Sequence, residues 1–165
     1  GYDRSNVLRA NIFLADPGNT TLIHGGDALD ERGAAYLFLR LLGDLHGQEI
    51  FRSLVQSRLS GTANVEETTG ENFLELFADW SAACYLSGLG ITDDPRFNYV
   101  SIDLPGDFGD LRVRETDFTA TSIQGDVRSM APEFILMHLG AGSGYTLSIS
   151  GAAEGKTNAV LVRLE

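Results

Sequence analysis

The feature that most limits what this chain can fold into is a change of pattern near residue 90. Before it, apolar residues recur at helical spacing; after it, Ser, Thr and Gly rise and apolar residues alternate with polar ones. Spacings of three and four place apolar side chains on one helix face, whereas alternation places them on one face of a strand. The stretch from Glu71 to Leu86 shows the first pattern most clearly. Phe73, Leu76, Phe77, Trp80, Ala83 and Cys84 fall on one continuous stripe, with Glu71, Glu75 and Asp79 opposite. This predicts an amphipathic helix whose stripe is core, and Cys84 is read there as a small buried hydrophobe.

Three further helices are expected upstream, with a shorter helical turn between them and the 71–86 helix. Ser5 can cap a first one running to about Ala15, with Pro17 beyond its end. Residues 16–27 read as a loop, rich in Gly, Asn and Asp. Leu29 to Leu45 is apolar nearly all round, which implies burial on most sides, and Gly47 is placed to end that helix in a left-handed cap. From Gln48 to Ser57, Ile50, Phe51, Leu54 and Val55 alternate with polar residues at helical period. Asn64 and Glu67 have the spacing of a helix start and predict a short turn of helix before Gly70.

Beyond Gly88 the expectation is β structure. Val100, Ile102 and Leu104 alternate with polar or turn residues, as do Leu111 with Val113, Tyr145 with Leu147 and Ile149, and Val160 with Val162 and Leu164. Phe118 to Ile123 is Thr-rich, and Phe134 to Leu139 is an apolar run containing His138. Short strands at this spacing, with the Gly140–Gly144 turn, predict a small antiparallel β-sandwich. The expected architecture is therefore α+β: a helical subdomain over 1–90 and a β-sandwich over 91–165.

Composition narrows the chemistry. Twelve Lys and Arg against 23 Asp and Glu give a formal charge of −11, which sets the surface against a phosphate backbone and argues against nucleic-acid binding. No apolar run reaches the roughly 18 residues of a membrane span. One cysteine excludes an internal disulfide and any Cys-x-x-Cys metal site. The chain opens on Gly1-Tyr2-Asp3-Arg4 without a signal peptide, and the leading Gly reads as the scar of a cleaved tag on a piece of a longer protein.

Candidate chemical residues are few. A catalytic Cys84 would need an adjacent base, and no histidine lies near it in the chain. His46, in the last turn of its helix, suits the negative helix end. His138 reads as a hydrogen-bonded sheet residue. His24, beside Asp27, Asp30 and Glu31, is the candidate transition-metal ligand, although the spacing fits no ligand pattern. Asp103, Asp107 and Asp110 lie in a Gly- and Pro-containing loop; an Asp-rich turn is the favoured reading and a calcium site the alternative. Gly140–Gly144 has neither the Gly-Lys-Ser/Thr end of a phosphate loop nor the frame of a nucleophile elbow. No catalytic residue and no cofactor site emerges from these motifs.

One stretch resembles a known family. It runs Arg32-Gly33-Ala34-Ala35-Tyr36-Leu37-Phe38-Leu39-Arg40-Leu41-Leu42, then Asn64-Val65-Glu66, Thr69-Gly70 and Phe73-Leu74-Glu75-Leu76-Phe77-Ala78-Asp79-Trp80. It is similar to the segment downstream of the zinc motif in bacterial secreted gluzincin metallopeptidases of the hyicolysin-like kind, over about residues 5–88. The family's His-Glu-x-x-His helix does not occur in this sequence, so no catalytic residue carries over. The resemblance implies a non-catalytic C-terminal part that is inert by itself and partners a catalytic segment upstream. It also implies zinc in the parent protein and an extracellular, periplasmic or cell-surface location. The alternatives are a stand-alone extracellular module binding carbohydrate or peptide, and a cell-surface structural domain. For the first, an exposed row of Phe97, Tyr99 and Tyr145 would be the mark.

Overall fold

The computed structural model describes residues 4–23, 27–109, 112–118, 122, 124–139, 146–150 and 159–164. The helical expectations are met closely. Helix α1 spans Arg4–Ala15, α2 Leu29–His46, α3 Glu49–Gln56, α4 Gly61–Thr69 and α5 Phe73–Leu86. A short α6, Leu104–Asp107, and two 3-10 turns, Pro17–Asn19 and Pro95–Phe97, complete the helical elements.

The element ends follow local chemistry. Gly47 caps α2 at φ 79° and its amide returns to the Gly43 carbonyl at 3.0 Å. Gly70 ends α4 in the left-handed region at φ 75°, a conformation that costs a residue without Cβ nothing. Asn72 caps α5, its Oδ1 accepting from the amides of Leu74 at 2.9 Å and Glu75 at 3.4 Å. Two starts differ from expectation. Ser5 lies inside α1 rather than capping it, and α4 begins at Gly61 rather than near Asn64. The Asn64 amide is engaged elsewhere, donating to the Leu54 carbonyl at 3.0 Å and so tying α4 to the end of α3.

The core forms where α1, α2 and α5 meet. Phe13, Leu14, Leu37, Leu41, Leu42, Leu76 and Trp80 are fully buried there. Trp80 organises it: its ring stacks on Phe13 at a centroid distance of 5.4 Å and meets Phe38 edge-on at 5.9 Å. The α5 stripe faces inward as the spacing predicted, with Phe73, Leu76, Ala83 and Cys84 buried beside Trp80. Helices α1 and α2 approach so closely that a Cβ at Gly33 would lie 2.1 Å from the Arg9 carbonyl oxygen. Tyr99, Ile102, Leu104, Phe108 and Val113 join the same buried cluster, which therefore continues past residue 90.

The antiparallel β-sandwich is not what the second half forms. Among the described residues the sheet is two short strands, β1 Thr116–Phe118 and β2 Ile135–Met137. They pair in parallel, Thr116 opposite Ile135 and Phe118 opposite Met137. The long 119–134 connection allows a parallel crossover, whereas a tight turn would have imposed the antiparallel hairpin. The fold is therefore mostly helical with a small parallel pair.

Two of the failed strands have a traceable cause. At 100–104 the backbone donors are taken by side chains: Asp44 Oδ2 accepts from Val100 N at 2.9 Å and Ser101 N at 3.1 Å. The Arg40 guanidinium donates to the Ser101 carbonyl at 3.0 Å, so the end of α2 occupies the place of a neighbouring strand. Leu104 starts α6 instead. Near Val113, the Arg114 amide donates to the Leu14 carbonyl at 2.8 Å, docking that segment on the end of α1. Residues 146–150 and 159–164 carry alternating apolar residues but no strand, and Leu147, Ile149, Val160 and Leu161 are each more than half exposed. Leu111, Ile123, Gly140–Gly144 and Tyr145 lie outside the described residues.

Candidate functional site

The densest polar cluster joins three elements that are distant in sequence. Glu71 precedes α5, Asp79 lies two turns along it, and Arg96 is set by the Pro95–Phe97 turn. Asp94 positions that turn by accepting from the Arg96 amide at 2.9 Å. Arg96 then donates through Nε to Asp79 at 2.7 Å and through Nη2 to Glu71 at 2.7 Å. The two carboxylates hold the proton on the guanidinium, raising its pKa, with Glu71 the larger cause and Asp79 next. His46, the last residue of α2, brings Nε2 to 3.1 Å from Glu71 Oε1. That approach lacks hydrogen-bond geometry, so the two Arg96 hydrogen bonds are what tie the turn to α5, with the end of α2 packed alongside. Sequence reading placed Glu71 and Asp79 on the side of the helix opposite its apolar stripe, with no partner named. Arg96, a lone cation in an acidic turn, was the only local hint of a partner.

Behind this junction lies a buried thiol. Cys84 Sγ is 3.6 Å from the Tyr99 hydroxyl, and both side chains are enclosed. Burial pushes the Cys84 thiol up to about 12, with the Tyr99 contact working weakly the other way. Burial also raises the Tyr99 hydroxyl well above its ordinary range, the adjacent Cys84 adding to the shift. Thiolate, the nucleophilic form, is therefore suppressed at neutral pH. At pH 8, iodoacetamide is expected to leave Cys84 unmodified in the folded protein and to alkylate it in urea, read by intact mass. Equal rates would contradict the burial. The neutral thiol's stabilisation is fully present below its ordinary value of 9.0 and is lost as pH rises toward about 12.

An open groove of about 420 Å³ runs beside this pair, lined by Ser87, Gly88 and residues 99–103. Its polar groups serve the fold. Ser87 Oγ accepts from the Tyr99 amide at 3.2 Å, and the Ser87 carbonyl accepts from Arg112 at 3.3 Å. Among its described lining residues, Ser87, Tyr99 and Ser101 carry hydroxyls and Asp103 a carboxylate.

The residues singled out from sequence are dispersed. Asp107 Oδ2 accepts from the Asp103 amide at 2.9 Å, closing the start of α6 much as a capping box does. The Asp103 carboxylate lies over Gly106, where a Cβ would meet Oδ2 at 2.4 Å. These two serve a local turn, and Asp110 lies outside the described residues, as does His24. Asp30 accepts from the Thr20 hydroxyl at 2.9 Å and Asp27 pairs with Arg32. His138 follows β2, exposed, with Nε2 3.4 Å from Asp117 Oδ1. The aromatic row is broken, because Tyr99 is only 7% exposed.

Among the described residues no three His, Cys, Asp or Glu side chains are grouped to hold a metal ion. Among them, too, no helix is long and apolar enough to cross a membrane. Comparison with protein-family models, with curated proteins and with solved structures finds no match to this chain.

Proposed function

We propose that this chain is a non-catalytic scaffold portion of a secreted zinc metallopeptidase of the gluzincin kind, completed by a catalytic segment elsewhere in the parent protein. The observation that carries the reading is the packing of the stretch bearing the resemblance. Residues 32–80 form most of α2, then α3 and α4, and then the first half of α5, with α2 as the central buried helix. Ala34, Leu37, Phe38, Leu41 and Leu42 anchor it while Trp80 braces it from α5. A rigid, apolar helix of this sort is what a neighbouring catalytic helix needs for support. Zinc, when bound in the parent, would supply Lewis-acid and water-activating chemistry; the part of this chain is support.

The test is an extension of the gene upstream. This chain alone is expected to bind no stoichiometric zinc and to cleave no casein-like substrate. The extended protein should contain a His-Glu-x-x-His helix and gain both properties together. Its Glu→Gln variant should retain metal and lose cleavage, because the change removes the general base and not a ligand. An upstream sequence without such a helix, or tight zinc binding by this chain alone, overturns the reading. The first result would favour an extracellular binding module or structural domain.

A further inference from the structure

We propose that the outer face of α1 is a self-association surface whose partner is a second copy of this chain, docked antiparallel across a two-fold axis. Helix α1 buries Ala10, Phe13 and Leu14 against the core. Its opposite side exposes Arg4, Leu8 and Ile12, the two apolar residues at 57% and 37%, followed by exposed Asp16 just past the helix end. Arg4, Leu8 and Ile12 are spaced by four residues and form one ridge of the helix surface, and Asp16, four residues further on, sits just past the helix end with a non-helical backbone. Ridges of this kind interlock when two helices cross at about −50°, so the ridge of one copy can lie along that of another.

Read in opposite directions, the two ridges are complementary. Leu8 of one copy meets Ile12 of the other, and Arg4 meets Asp16 at both ends. The order cation, apolar, apolar, anion is matched by its own reverse, which is what an isologous two-fold contact requires. Helix α1 itself holds no acidic residue, although the chain carries 23, so the face is locally spared the repulsion of the surface at large. Asp16 is oriented by the Asn19 amide, 3.1 Å from each carboxylate oxygen, and faces Arg114 only at 4.0 Å. Half its side chain remains open to solvent.

A 12-residue helix is about 18 Å long. An interface confined to a single helix of that length buries less than the roughly 1,200 Å² at the lower end of stable interfaces. Association is therefore weak, with Kd on the order of 100 µM to 1 mM. The inference does not depend on the peptidase reading and can fail without it.

Sedimentation equilibrium of the whole chain, from about 10 µM to about 1 mM in 0.15 M salt, tests it. The expected result is monomer mass at the low end, rising toward twice the 17.8 kDa chain and no further. Leu8→Glu should abolish the rise with the melting temperature unchanged, because Leu8 is mostly exposed. Arg4→Asp should weaken association about tenfold by setting like charges against each other, and Arg4→Asp with Asp16→Arg should restore it. Three results overturn the proposal: monomer mass throughout, a rise that Leu8→Glu leaves intact, or a double variant as weak as Arg4→Asp while still folded.

Discussion

Replacing Trp80 by Ala is expected to destabilise the protein by roughly 3–5 kcal/mol, the range for removing a large buried ring. Trp80 is fully enclosed and contacts Phe13, Phe38 and Phe77 from three different helices, with centroid distances of 5.4, 5.9 and 5.5 Å. Its loss opens a cavity at the point where α1, α2 and α5 converge, and none of the three can close it without leaving the others. A domain of this size has about 5–15 kcal/mol in all, and each kcal/mol shifts Tm by roughly 2–4 °C. Calorimetry should show a fall of about 10 °C or more, or the variant should be insoluble. Val55→Ala, at a site 86% exposed, is the control and should stay within about 0.5 kcal/mol. A Trp80→Ala shift as small as the control's would mean that the α5 stripe does not face the core.

Gly33→Ala should also destabilise, although helix propensity argues the other way. Alanine in place of a mid-helix glycine is favoured by about 1 kcal/mol when the new methyl group has room. Here it would meet the Arg9 carbonyl oxygen at 2.1 Å, the Arg9 carbonyl carbon at 2.4 Å and the Ala10 amide nitrogen at 2.8 Å. All three are backbone atoms, so no side-chain rotation relieves the clash and α1 must move off α2. That displacement also pulls Phe13 from Trp80. Overpacking of this kind costs about 1–3 kcal/mol or more. The net outcome is a lowered Tm, with Gly33→Val worse than Gly33→Ala. A raised Tm for Gly33→Ala would show that the two helices are not in backbone contact at this point.

The same residues show how much could be read from the chain before folding. The stripe from Phe73 to Cys84, the glycine stops at Gly47 and Gly70 and the all-round apolarity of Leu29–Leu45 are local statements, and each was met. The Asn64 start was missed because its amide serves α3, a contact no spacing rule contains. The cluster of His46, Glu71, Asp79 and Arg96 was not legible either. Its members come from α2, the link before α5, α5 itself and a turn seventeen residues past Asp79, and the pairing depends on how those elements pack. Its carboxylates were indistinguishable by sequence from the many others in this acidic chain.

By itself, then, the sequence determined the longer helices, the glycine stops after α2 and α4 and the inward face of α5, because a helix closes its hydrogen bonds within about four residues and its apolar stripe needs only something to pack against. A strand has no such local closure. Its donors and acceptors must find another segment, and alternation does not say which. Tertiary structure made that decision here: Asp44 and Arg40 took the backbone of Val100 and Ser101, α1 took Arg114, and among the described residues only Thr116–Phe118 and Ile135–Met137 found each other, in parallel.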